Sequence, residues 1–369
     1  MTSKYLSAAL NHLGYFGFAR LVATATCKVP SAPEPPSKFA DDVWASELPS
    51  DLVGKVYAIT GASNGMGKYL AEMLASRGAT VIMLNRKSAH SVKAFEEVKV
   101  AAKKAECVHL VECDLCDFAS VRSAAATIKS ISSELDGLVC NAGLMAQADK
   151  RTGDGYDVQI QANHLSHFLL TSLLLKDLAA TGKKRGEAAR VVQHSSGARS
   201  SPDVPISPDC FEKEWESIID DKGRQGNPRK GDVSFMAKWR RYQQSKSLNL
   251  GFTYALADYI AKQGSQGDVI ATCAHPGATN SGLQSRTEGG CFMDNLINGI
   301  AACVGHSTAD GCLGLALATL KPGAQNGDFY GPAGMIGNAV LMPCERDRYS
   351  EQLDLIWSGS VRATGAVFD

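Results

Sequence analysis

Six short apolar runs, each followed by a stretch of helical periodicity, limit what this chain can fold into more than any other feature. They read "KVYAITG", "TVIMLNR", "VHLVECDL", "LDGLVCNAG", "ARVVQHSSG" and "DVIATCAHPG", in order from Lys55 to Gly277. Strands that are apolar throughout belong in a parallel sheet covered by helices on both faces. Right-handed crossovers between such strands give a doubly wound α/β sheet of Rossmann type. The predicted organisation is a single domain of this type over 51–345, with an extension and linker over 1–50, an insertion over 199–238 and a tail over 346–369.

The first run leads into "TGASNGMGKYLAEML", where Gly61, Gly65 and Gly67 separate a strand from a helix. Glycine at the entrance of a helix costs entropy, so the backbone there needs room that a side chain would take. Close approach to a pyrophosphate supplies the reason, because the free amides of the first helical turn meet its charge. Ser63, Asn64 and Met66 complete this turn. The spacing is Gly-x-x-x-Gly-x-Gly rather than G-x-G-x-x-G.

Further motifs follow in a fixed order. "NAG" (Asn141, Ala142, Gly143) ends the fourth strand, and "QANHLSHF" sets Asn163 in a helix. "HSSG" puts Ser196 at the end of the fifth strand, and "YQQSK" places Tyr242 and Lys246 one helical turn apart. "HPGATNSGL", with Pro276, Gly277 and Thr279, follows the sixth. From about Lys55 to Tyr330 this order resembles the short-chain dehydrogenase/reductase family. "QANHLSHF" and the "HPG" turn look like its branch of retinol dehydrogenases, WW-domain oxidoreductases and protochlorophyllide reductases.

A phenol near pKa 10 exchanges protons poorly at neutral pH unless a neighbouring positive charge stabilises the phenolate, and Lys246 is spaced to supply one. The resemblance implies that Tyr242 protonates the substrate oxygen, that Ser196 rather than Ser195 orients it, and that Lys246 also bonds the nicotinamide ribose. It further implies that Asn163 holds a water linking Lys246 to solvent. Asp114 and Leu115 would contact adenine. Asn141, Ala142, Gly143, Pro276 and Gly277 would line the dinucleotide, and Thr279 would approach the carboxamide or a phosphate. NAD-preferring relatives carry an acid after the second strand; here Asn85, Arg86 and Lys87 stand there, which suits the 2′-phosphate of NADP(H).

The 38 basic and 38 acidic residues cancel, and a pI near 7.1 gives no basic field for nucleic acid. Eleven scattered cysteines in so long a chain fit a reducing compartment rather than a disulfide framework. Cys113 and Cys116 form one C-x-x-C, half of a zinc site, and no metal is expected. Residues 1–33 contain no acid and suit a transit peptide, a helix in peripheral membrane contact, or simply a frayed or docked extension. Localisation is accordingly read as cytoplasmic or organellar, and a homo-oligomer is compatible with the sequence. "VPSAPEPPSKF" has four prolines and reads as a linker.

The stretch between Ser196 and Tyr242 is long for the family and carries Phe211, Trp215, Phe235, Met236 and Trp239, which suit either a wall of the substrate pocket or a surface excursion packed on the scaffold. After Thr279, where the family builds its lid, Gly282, Gly289 and Gly290 are hinge candidates, and Leu296, Ile297 and Ile300 would cover an apolar ligand. These features favour an NADP(H)-dependent oxidoreductase acting on a lipophilic carbonyl or alcohol of retinoid, steroid or quinone type. Light-dependent reduction of a protochlorophyllide-like double bond is the second reading, and an NADP(H)-binding redox-sensing scaffold the third.

Overall fold

The computed structural model describes residues 36–40, 46–147, 150–200, 206–213, 235–279 and 305–368. All six predicted strands form: β1 (Val56–Thr60), β2 (Thr80–Asn85), β3 (Val108–Glu112), β4 (Gly137–Cys140), β5 (Ala189–His194) and β6 (Val269–Ala274). Two short strands extend the sheet, β7 (Phe329–Pro332) and β8 (Ala339–Leu341). The order is β3-β2-β1-β4-β5-β6-β7-β8, parallel except for the β7–β8 pair. The reversal of strand order beside β1 opens a crevice at the carboxyl ends of β1 and β4, where ligands of doubly wound sheets bind.

The helices are α1 (Gly65–Ser76), α2 (Ala89–Ala101), α3 (Phe118–Ile131), α4 (Ser166–Arg185), α5 (Phe235–Lys262), α6 (Thr308–Leu320) and α7 (Leu353–Thr364). Their apolar faces create two cores, one on each side of the sheet. Leu70 and Leu74 of α1 and Leu313 and Leu317 of α6 pack against Ile59, Val81 and Val139 on one side. Phe168 of α4 and Leu248, Phe252 and Leu256 of α5 pack against Ala58, Leu138 and Val191 on the other. Fully burying a side chain of this size contributes about 1.5–3 kcal/mol.

The segments just before β1 and after β8 join these cores. Ala40, Leu48 and Leu52 are buried on the α1–α6 side. Near α6, the buried Asp310 carboxylate accepts hydrogen bonds from the hydroxyl of Ser37 (2.8 Å) and the amides of Lys38 (2.9 Å), Phe39 (2.9 Å) and Ala40 (3.0 Å). At the other end, α7 buries Ile356 in the α4–α5 core, and Trp357 stacks on Tyr259 at 5.0 Å. Gly251 of α5 makes this contact close, because a Cβ there would collide with Ile356 and Tyr349.

Within the insertion, a turn of 3-10 helix over Pro208–Phe211 buries Phe211 beside His164, and α5 already begins at Phe235. Trp215, the glycine hinges and Leu296, Ile297 and Ile300 lie outside the described residues, as do residues 1–33. Among the described residues no helix is long and apolar enough to cross a membrane.

Candidate active site

The glycine-rich turn is formed by local necessity. Gly61 (φ 67°) and Gly65 (φ 54°) adopt left-handed backbone, which disfavours any side chain. A Cβ on Gly67 would lie 2.5 Å from the Gly61 carbonyl oxygen and collide with Asn141, and one on Gly61 would lie 2.9 Å from Ala142. Asn141 closes the turn from β4, its Nδ2 donating to the carbonyls of Thr60 (2.9 Å) and Gly61 (3.3 Å). Ala142 donates its amide to Thr60 Oγ1 (3.0 Å). The turn ends at α1 with Asn64 as an extended N-cap that makes no side-chain capping bond, and no acid occupies the first turn. The first amides of α1, with Ser63 and Met66 beside them, therefore face the crevice without an intramolecular anion.

At the end of β2, Asn85 is buried, and neither of its side-chain polar atoms has a partner among the described residues. Beside it Arg86, Lys87 and Ser88 are exposed and, with Glu112 and Asp114, line a pocket of about 280 Å³. Asp114 Oδ1 accepts from the Cys116 amide (2.9 Å), and the buried Leu115 holds Ser166 Oγ through its carbonyl (2.7 Å).

Asn163 lies in a π-helical turn, Gln161–Leu165, that runs directly into α4. Its Oδ1 accepts from the Leu144 amide (2.6 Å), and its Nδ2 donates to the Leu144 carbonyl (2.9 Å) and to Ser245 Oγ (2.8 Å). Asn163 thereby clasps the loop after β4 to α5. Ser245 passes the link on by donating to the carbonyl of Tyr242 (2.7 Å).

On α5, Tyr242 and Lys246 are both buried, and Lys246 Nζ lies 5.9 Å from the centre of the Tyr242 ring. Nζ donates to the carbonyl of His194 (2.9 Å). Burial lowers the Lys246 pKa to about 8. A Cβ on Gly143 would lie 3.2 Å from this ammonium, so glycine gives Nζ its space. The neighbouring serines differ. Ser195 is buried and donates to the carbonyl of Lys246 (2.7 Å), whereas Ser196 is half-exposed and its Oγ accepts from the Ala198 amide (3.2 Å). Met145, Ala146, Ala198 and Tyr242 form a small apolar cluster, with Trp239 packed on it at 5.4 Å from the Tyr242 ring.

After β6, Gly277 (φ 66°) turns the chain where a Cβ would lie 2.5 Å from the Met335 carbonyl. Thr279 Oγ1 donates to the carbonyl of Pro276 (2.9 Å), and Thr279 bridges to His306. Residues absent from the motif reading also build this site. Arg199, buried and stacked 4.4 Å over the Phe329 ring, donates to the Ser196 carbonyl (3.1 Å) and pairs with Glu345. Ser245 and His194 are the others; their only sequence signal is a polar side chain inside an otherwise buried helix or strand.

A family model described as short chain dehydrogenase matches residues 55–205. The short-chain dehydrogenase/reductase drtF of Aspergillus calidoustus is 31% identical over 84% of this chain and 93% of its own length. Human retinol dehydrogenase 12 is 32% identical over 77% of each chain. In structure, an uncharacterized protein from Mycobacterium paratuberculosis overlays with a TM-score of 0.63 at 28% identity, covering 90% of this chain and all of its own. The chain belongs to the short-chain dehydrogenase/reductase family, in a branch like that of the retinol dehydrogenases, and is an oxidoreductase of the kind that acts on CH–OH groups.

Proposed function

We propose that the protein is an NADP(H)-dependent oxidoreductase interconverting a lipophilic carbonyl compound and its alcohol. The observation that carries this reading is the buried pair Tyr242 and Lys246, with Nζ 5.9 Å from the phenol ring and the half-exposed Ser196 nearby in sequence to the Ala198 that packs on Tyr242. The crevice fits a dinucleotide: Gly61 and Gly67 are sites where a Cβ would fill the turn, and the α1 N-terminus has no acid or side-chain cap. Gly61, Gly65 and Gly67 would hold the pyrophosphate, Asp114 the adenine, Thr279 the nicotinamide end and Lys246 the ribose. Arg86 and Lys87 at the pocket rim favour the 2′-phosphate, since the neutral Asn85 ends β2 where an acid would bind the ribose hydroxyls. When bound, NADP(H) supplies or accepts the hydride.

Tyr242 Oη gives its proton to the substrate oxygen in reduction and takes it back in oxidation. The Lys246 ammonium stabilises the phenolate that remains, in a buried site where charge–charge interaction is strong. Ser196 Oγ donates to the same substrate oxygen and fixes its direction. The apolar surface of Met145, Ala198 and Trp239 beside Tyr242 favours a substrate with a flat or extended hydrocarbon body. The likeness to retinol dehydrogenase 12 supports the same class.

The test is to follow nicotinamide absorbance with purified protein, NADPH and a panel of retinal, a ketosteroid, a quinone and, in light and darkness, protochlorophyllide. Turnover of one of the first three, lost in Tyr242→Phe while NADPH still binds, is the expected result. Light-dependent turnover of the tetrapyrrole alone would transfer the protein to the second reading. Tight NADPH binding without turnover on any member would favour a scaffold.

A further inference from the structure

His194, the last residue of β5, stands directly before the two serines and serves two sites at once. Its carbonyl oxygen accepts from Lys246 Nζ (2.9 Å) and from Asn249 Nδ2 (3.0 Å). Its ring Nδ1 lies 3.0 Å from Asn141 Oδ1. Because Asn141 Nδ2 already donates to the carbonyls of Thr60 and Gly61, Oδ1 is an acceptor, and His194 Nδ1 must carry the proton. His194 thus links the glycine-rich turn, bonded through Asn141 to its ring, with Lys246, bonded to its main-chain carbonyl.

Packing does not account for an imidazole here. The ring is buried, its Nε2 has no partner among the described residues, and its neighbours in β5 include Val191 and Val192. An aliphatic side chain would fill a strand end without the cost of an unpaired buried nitrogen. Burial, with Lys246, His275 and His167 nearby, lowers the ring's pKa to about 3, so it stays neutral and keeps the single tautomer that Asn141 requires.

The geometry points to His194 as a positioning residue that couples the dinucleotide turn to Lys246, by clamping Asn141 with its ring while its carbonyl fixes Nζ. The inference rests on the dinucleotide reading above. Its readouts are NADPH affinity and the ring's tautomer, neither of which needs the substrate to be known.

The experiment compares NADPH binding by fluorescence in the unmodified protein, His194→Leu and His194→Asn. Leu removes the ring donor and keeps the main-chain carbonyl; the Nδ2 of Asn takes the place of ring Nδ1. Affinity should fall about tenfold in the Leu variant, the scale of one buried hydrogen bond, and return to within about twofold in the Asn variant. Unchanged affinity in Leu, or equal loss in Asn and Leu, would overturn the coupling. Should the Leu variant not fold, nitrogen NMR of the unmodified protein decides: a His194 Nδ1–H tautomer whose signal moves on NADPH addition supports the role, and an Nε2–H tautomer or an unmoved signal overturns it. Failure of the unmodified protein to bind NADPH would overturn the cofactor reading as well, whereas failure of the Leu–Asn comparison alone overturns only the role of His194.

Discussion

Ser195 donates its hydroxyl to the main-chain carbonyl of Lys246 at 2.7 Å, so two residues next to each other in the "HSSG" motif have separate tasks. Ser195 fixes the height of α5 against the end of β5; Ser196 is half-exposed, and the proposed mechanism gives its hydroxyl the substrate oxygen. Ser196→Ala should lower kcat by two orders of magnitude or more, the scale of removing one donor to a developing oxyanion, and leave the melting temperature unchanged. Ser195→Ala should lower the melting temperature by a few degrees, because a buried hydrogen bond is lost, and reduce kcat less. Melting curves and steady-state rates on the two variants check this; a larger loss of kcat in Ser195→Ala would exchange the roles.

Arg86 should carry the cofactor preference. Its guanidinium is exposed at the rim of the pocket shared with Lys87 and Ser88, free to meet a phosphate. A charge-assisted contact contributes about 1.5–3 kcal/mol, roughly ten- to a hundredfold in affinity. Fluorescence titration should find NADPH tighter than NADH by that factor, and Arg86→Ala should erase most of it. Equal affinities in the unmodified protein would defeat the argument.

Trp239 should select substrates. Its ring lies 5.4 Å from that of Tyr242 at 40°, one turn earlier on the same helix. Trp239→Leu keeps an apolar group and loses the planar face. KM for the identified substrate should rise several-fold, while NADPH affinity stays unchanged. A lowered melting temperature with unchanged KM would make the ring structural.

Acid should destabilise the fold through its buried histidines. Burial lowers the pKa of His164 to about 3, of His167 to about 4, and of His194 and His275 to about 3, all from 6.5. As pH falls below 6.5 the unfolded chain takes up protons that the folded chain refuses. Stability is therefore complete above that pH and declines down to the folded values. At pH 5 each ring costs about 2 kcal/mol. His164→Gln, which removes one such ring, should lose about 2 kcal/mol less than the unmodified protein between pH 7 and pH 5 in urea unfolding. Parallel pH profiles for the two proteins would mean that His164 titrates alike in both states.

The sheet was legible because buried parallel strands are apolar without interruption, and the turn because Gly61, Gly65 and Gly67 stand where a strand hands over to a helix. β7 and β8 were not: "GDFYGPAG" mixes glycine and proline with two aromatic residues, β7 joins the sheet only through the distant Cys273 and Ala274 of β6, and β8 is just three residues long. The helix α7 had a signal that went unused: Leu353, Ile356, Trp357 and Ser360 recur at helical spacing, and Ser360 Oγ meets His164 Nε2 at 2.8 Å. Motif reading identified Ser196, Tyr242 and Lys246 as candidates, but not what holds them. His194, Arg199 and Ser245 act through contacts with residues far away in sequence, and no spacing rule encodes those.

The Asp310 carboxylate has a consequence for maturation. It gathers one hydroxyl and three amides from Ser37 to Ala40, and these bonds sit on the domain side of the proline-rich linker. A protease trimming a leader upstream of Ser37 would leave all four donors in place. A cut after Ala40 would release the segment that supplies them, losing four hydrogen bonds and the burial of Ala40 and opening the carboxylate to water. Melting temperatures of chains starting at residue 36 and at residue 41 should therefore differ sharply, the first matching the full chain. One acid in α6 thus makes the stability of the whole sheet depend on a segment 270 residues earlier in the chain.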